Sequence, residues 1–203
     1  MTRNLTNTTT SEQVEKQSLE SVYIKYYDHI LNYGLKLYPN ADFVKDCIQD
    51  LFVKLYSNNK LQNKAHIRAY LLKSIRNLII DKLSKNKQLV SEQLISFHMI
   101  VDENDLETKM GSNDEELVLL KKLLYSFDQL SENQKQVVYF RYVQDLSHKE
   151  IAEILEMNEQ SSMNLLSRAM IKLRKLIQSD FKDRKISEQD INKSLILLLT
   201  PAR

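Results

Sequence analysis

With 203 residues the chain can form one large domain or two small ones, and its formal net charge of +2 by itself points to no partner. Two glycines and two prolines are too few for the turns of hairpins and sandwiches, which excludes an all-β fold and leaves an all-α one. Four scattered histidines (His29, His66, His98, His148), a lone Cys47 and no Gly-rich phosphate loop argue against catalysis, a disulfide framework, a metal centre and any cofactor.

Taken in chain order, residues 1–18 are polar and Thr/Asn-rich and read as a flexible N-terminal arm, with no apolar core that would make a signal peptide. Helical spacing of Leu19, Val22, Tyr23, Tyr26, Ile30 and Gly34 predicts a helix to Tyr38, which Pro39-Asn40 ends. From Ala41 to Tyr56 the stripe Phe43, Val44, Cys47, Ile48, Leu51, Phe52, Leu55 and Tyr56 is wide enough to meet two neighbours. Cys47 falls on this apolar face, so it reads as a buried hydrophobe, and a single thiol suits a reducing, cytoplasmic setting. After the polar loop SNNKLQNK, a helix over about Ala65–Lys87 buries Ile67, Leu71, Ile75, Leu78, Ile79 and Leu83. Residues 19–90 thus form a first small helical domain.

Residues 91–113 read as a polar acidic linker, with Ser112 and Glu115 in capping-box spacing before a helix at about Asp114–Phe127. The same pattern recurs at Ser131/Gln134, Ser147/Glu150 and Ser187/Asp190, each ahead of an apolar run. Residues 114–180 form the second domain. The tail 181–203 contains SLILLL, too short to enter a bilayer as a span, which either covers the preceding core or binds a partner.

Charge is segregated. Residues 60–90 carry +7 and residues 91–116 carry −7, a basic surface joined to an acidic connector. A basic face is the usual footprint of a phosphate binder. In SHKEIAEILEMNEQSSMNLLSRAMIKL, a capped short helix, a brief turn at Met157-Asn158 and a longer helix to about Ser179 give the helix-turn-helix layout. Ala152 at the crossing lets the two helices approach, and Ile151, Ile154 and Leu155 are expected against Leu166, Ala169 and Leu173.

"LSENQKQVVYFRYVQDLSHKEIAEILEMN" with "SRAMIKLRKL" resembles region 4 of extracytoplasmic-function sigma factors of RNA polymerase. "DCIQDLFVKLY" resembles their region 2.2, and "AYLLKSIRNLIIDKL" their regions 2.3–2.4. The resemblance covers residues 19–90 and 114–178, in the family's order, with an acidic linker between. It implies a non-enzymatic specificity subunit that binds core RNA polymerase and promoter DNA, and an anti-sigma factor as regulator. On the polymerase it implies the β′ clamp helices and the β flap as docking points.

Residue by residue, the resemblance places Asp46, Gln49 and Asp50 on the surface that meets core polymerase. It places Leu61, Arg68, Tyr70 and Asn77 around a flipped −10 base, with Tyr70 where relatives carry Trp. Arg68, Arg76, Lys82, Lys85 and Lys87 are expected on promoter phosphates, and Asp81 in a structural role beside Arg76 or Lys85. On the recognition helix Gln160, Ser161 and Asn164 are expected at −35 base edges, with Arg168, Lys172 and Arg174 on phosphates. Its tip is less basic than in relatives, so a separate DNA-bound recruiter is the alternative to direct −35 reading. A helix-turn-helix regulator that binds duplex DNA without melting it is the competing class; the region 2-like block counts against it.

Overall fold

The computed structural model describes residues 6–58, 66–85, 97, 114–178 and 186–200. Leu61, Lys87, the acids Asp102, Glu103, Asp105 and Glu107, and the capping position Ser112 lie outside the described residues. The described residues form eight helices and no strand: α1 (Thr6–Leu37), α2 (Ala41–Asn58), α3 (Ile67–Lys85), α4 (Asp114–Asp128), α5 (Glu132–Tyr142), α6 (His148–Leu155), α7 (Glu159–Gln178) and α8 (Glu188–Leu199). The chain divides into unit 1, Met1–Ile95, and unit 2, Ser96–Arg203.

In unit 1 each of the three helices packs on the other two. Ile30, Tyr33 and Leu37 of α1, Val44, Cys47, Ile48 and Leu51 of α2, and Leu71, Leu72, Ile75 and Ile79 of α3 are buried together. Burial raises the Cys47 thiol pKa, the behaviour of an inert core residue. Asn40 opens α2, its Oδ1 accepting the Phe43 N–H at 3.0 Å, which is why Pro39-Asn40 marks the break so sharply. One expectation changes: α1 begins at Thr6, so most of the stretch read as an arm is helical backbone. Residues 6–18 contain neither Gly nor Pro, and extending an existing helix fixes one residue per hydrogen bond without a new nucleation cost.

Gly34 sits where α1 meets α2. A Cβ there would stand 2.5 Å from Val44 Cγ1, inside any allowed contact. Gly34→Ala should therefore push the helices apart and cost about 1–3 kcal/mol, despite alanine's better helix propensity. Urea unfolding of the full chain checks this; a variant as stable as the parent would show that α1 and α2 shift at no cost.

Unit 2 is built around α7, which packs on α4, α5 and α6. All three described capping boxes form, with Ser131, Ser147 and Ser187 each accepting the backbone N–H three residues on. Val137, Val138, Phe140, Ile151, Ile154, Ala169, Leu173 and Ile177 close the core. Tyr139 is buried with them, its hydroxyl accepting from Gln144 Nε2 at 2.8 Å; burial drives its pKa far up. The tail is not separate from this unit. α8 buries Ile191, Leu195, Leu198 and Leu199 against α4 and α5, so the SLILLL run covers the core. An exposed ion pair, Lys193 to Glu116 at 3.3 Å, adds at most about 1 kcal/mol to that docking.

Candidate nucleic-acid interface

Three surfaces hold most of the described residues singled out above. On unit 1, α1 and α2 border a groove of about 430 Å³ lined by Tyr23, Tyr27, Lys45, Asp46, Gln49, Phe52, Val53 and Tyr56. Asp46 and Gln49 thus stand together at an open, largely apolar groove with acidic, amide and aromatic edges. Tyr23 and Tyr56, expected in the packing stripe, are instead 40% and 63% exposed. The period that marks a buried face cannot separate tyrosines that close a core from tyrosines that rim one. Tyr23 stacks edge-on to Phe52 at 4.8 Å and lies 5.1 Å from Tyr27, which holds the groove wall in place. Asp50, placed by the family resemblance on the polymerase side, pairs with Lys82 of α3 at 2.6 Å.

That contact alters the reading of Lys82 as well. Its ammonium is held by Asp50, which raises its pKa, and it lies 6.0 Å from the Phe43 ring centroid. Lys82 therefore ties α3 to α2, and any phosphate must compete with a carboxylate already in contact.

The second surface lies between α2 and α3. Tyr70, Ser74, Asn77 and Asp81, spaced four, three and four residues apart, share one face of α3. With Leu51, Lys54, Leu55 and Leu78 they line a cleft of about 270 Å³. An aromatic ring, a hydroxyl, an amide and an acid around apolar walls can stack a planar heterocycle and bond its polar edge. Ser74 was not foreseen; its place on the Tyr70–Asn77 face was the available signal. The cations do not form one stripe. Lys85 is exposed, Arg68 is half-buried, and Arg76 Nε is buried with no hydrogen-bond partner. Asp81 opens onto the cleft.

The third surface is the helix-turn-helix of unit 2. α6 ends at Glu156 in the left-handed conformation, φ 55° and ψ 44°, so the chain reverses within two residues. Asn158 then caps α7, its Oδ1 accepting the Ser161 N–H at 2.7 Å. Gln160, Ser161, Met163 and Asn164 are exposed on the first turns of α7, and Gln160 Nε2 donates to Asn164 Oδ1 at 3.1 Å. The two amides are thereby oriented side by side. Arg168 is exposed further along, whereas Lys172 Nζ donates to the Gln129 carbonyl at the end of α4. Lys172 is thus engaged in holding α7 to α4.

His148, at the start of α6, meets buried Ser162 of α7 with Nδ1 3.0 Å from Oγ. Burial lowers its pKa, the Arg141 charge adds to this, and Glu159 opposes it. A histidine more acidic in the folded chain leaves stability intact above its ordinary pKa of about 6.5 and erodes it as pH falls below that value. His148→Gln, which can still bond Ser162, should flatten the pH dependence of the unit 2 melt between about pH 7.5 and 5.5. Equal slopes in parent and variant would remove His148 as the source.

Among the described residues no helix is long and apolar enough to cross a membrane. The chain is similar to known proteins. The family described as Sigma-70 region 2 matches residues 22–88, and Sigma-70, region 4 matches residues 120–173, together more than half of the chain. The chain is 21% identical over 169 residues to the ECF RNA polymerase sigma factor SigM of Bacillus subtilis (strain 168), covering 82% of this chain and 99% of that protein. It is 25% identical over 183 residues to the RNA polymerase sigma factor YlaC of the same organism, covering 84% and 98%. Its fold is similar, at a TM-score of 0.56 and 17% identity, to the sigma factor RpoE solved in complex with the anti-sigma factor NepR from Bartonella quintana, over 81% of this chain and 99% of that one.

Proposed function

Since the chain belongs to the sigma-70 family of RNA polymerase sigma factors, in its extracytoplasmic-function group, we propose that the three surfaces divide the work of initiation among docking, melting and duplex reading. The protein is a sigma factor that directs transcription initiation, and it is not an enzyme. In the proposed division, the α1–α2 groove with Asp46 and Gln49 docks the β′ clamp helices. The α2–α3 cleft receives an unstacked −10 base between Tyr70 and Asn77, with Arg68, Arg76 and Lys85 toward the phosphates.

On unit 2, α7 enters the major groove at the −35 element. Gln160 and Asn164 read base edges, Ser161 assists, and Arg168 meets phosphate. The other proposed partners are the β flap for unit 2 and an anti-sigma factor that covers both units, with action in the cytoplasm. The observation that carries this reading is the conjunction on one chain of a cleft edged by Tyr70, Ser74 and Asn77 and an amide-tipped helix-turn-helix. A simple duplex-binding regulator has no use for the cleft.

The recognition helix supplies the test, using holoenzyme on templates with altered −35 elements. Asn164→Ala should relax discrimination there by about 1–3 kcal/mol. Arg168→Ala should weaken binding to every sequence and lower the salt slope by about one. Full transcription from a scrambled −35 element, with no partner added, would reduce unit 2 to polymerase docking alone.

A further inference from the structure

Phe97 belongs to the stretch whose polarity predicts a free connector, yet its side chain is only 1% exposed. Its ring lies 5.3 Å from that of Tyr139 and 6.3 Å from that of Phe127, both tilted contacts of the kind aromatic pairs favour. The main chain is received as well. The Phe97 N–H donates to Glu132 Oε2, while Glu132 Oε1 faces Lys135 Nζ at 3.5 Å. Lys135 is itself buried and reaches Asp128 at 3.8 Å. Glu132 opens α5, where the helix dipole favours a carboxylate, and Tyr139 is fixed by Gln144. Unit 2 thus offers both an aromatic slot and a held carboxylate to a single connector residue.

We propose that Phe97 is the anchor that fastens the connector to unit 2, ahead of the acidic residues that follow it in the chain. Residues 98–113 carry Asp102, Glu103, Asp105 and Glu107 against a single Lys109, so the anchor fixes the point from which a net negative segment starts. The tether from Lys85, the end of α3, then runs to residue 97 rather than to residue 114. Its greatest possible span falls from about 100 Å to about 40 Å. Phe97 acts here as a positioning residue, fixing where the acidic segment starts on unit 2. The anchoring stands on its own contacts, whereas any part of the acidic segment in initiation rests on the sigma-factor reading.

The chain has no tryptophan, so Phe97→Trp introduces a single reporter into the full-length protein. Its emission should be blue-shifted and quenched by acrylamide several-fold less than that of a free tryptophan amide. In the unaltered chain the Phe97 amide should exchange with deuterium at least 100-fold more slowly than an open chain. Phe97→Ser should abolish that protection at residue 97 while α5 amides stay protected. Exchange of the native Phe97 amide at the open-chain rate, beside protected α5 amides, would overturn the anchor. In holoenzyme, Phe97→Ser should shift the ratio of abortive to full-length RNA at least twofold with core binding unchanged. If exchange shows the anchor and this ratio stays put, the acidic segment's role in initiation is refuted and the anchor stands.

Discussion

Asn77→Ala and Tyr70→Ala should each reduce promoter opening by about five- to 150-fold, equivalent to the 1–3 kcal/mol contributed by a stacked base. Both residues line the α2–α3 cleft, and neither lines the α1–α2 groove. Affinity for core polymerase should therefore stay at the parent value, and permanganate reactivity of the −10 region should fall. Extruding a base costs a few kcal/mol, and removing either the platform or the amide leaves that cost uncompensated. Equal losses in polymerase binding and in opening would assign the two residues to packing.

The second large effect is expected at the groove. Tyr56→Ala removes an exposed aromatic side chain that contributes little to the core, so folding should be preserved. Aromatic anchors at the centre of interfaces commonly cost 2 kcal/mol or more when truncated, and core affinity should fall by about 30-fold or more. Asp46→Lys should act in the same direction through like-charge repulsion, and more strongly at low salt. Retained affinity in both variants, with folded far-UV spectra, would move the docking surface elsewhere on the molecule.

The sequence carried the local part of this architecture. Ser131, Ser147 and Ser187 announced three helix starts, because a capping box is written within four residues. The unit 1 core was legible in the period of Val44, Cys47, Ile48 and Leu51, and the helix-turn-helix in the break before Asn158. What escaped depends on contacts between distant residues. Lys82 and Asp50 are in different helices, and Lys172 reaches the carbonyl of Gln129, 43 positions away; no periodicity encodes either. Both cations, expected on phosphate, also make these contacts within the fold. Tyr23 and Tyr56 share the spacing of buried neighbours, so only packing shows that they rim a groove. Phe97 is one aromatic in a polar stretch, and a single residue has no period to read.

The recognition helix shows the same limit in its chemistry. Gln160, Ser161 and Asn164 were legible as polar and exposed, but not the bond between Gln160 and Asn164. That bond makes the two amides one unit, so replacing either should disturb the other. With Lys172 engaged, Arg168 is the expected phosphate contact whose loss should be clearest.

The most direct test of the whole account is transcription from a chromosomal DNA library by core polymerase, with and without the purified chain, with 5′ ends mapped. The chain should convert scattered starts into a defined set, each preceded by shared −10 and −35 sequences and each opened around −10. Unchanged start sites, from a chain that binds duplex DNA by itself, would contradict it and return the protein to the class of simple helix-turn-helix regulators.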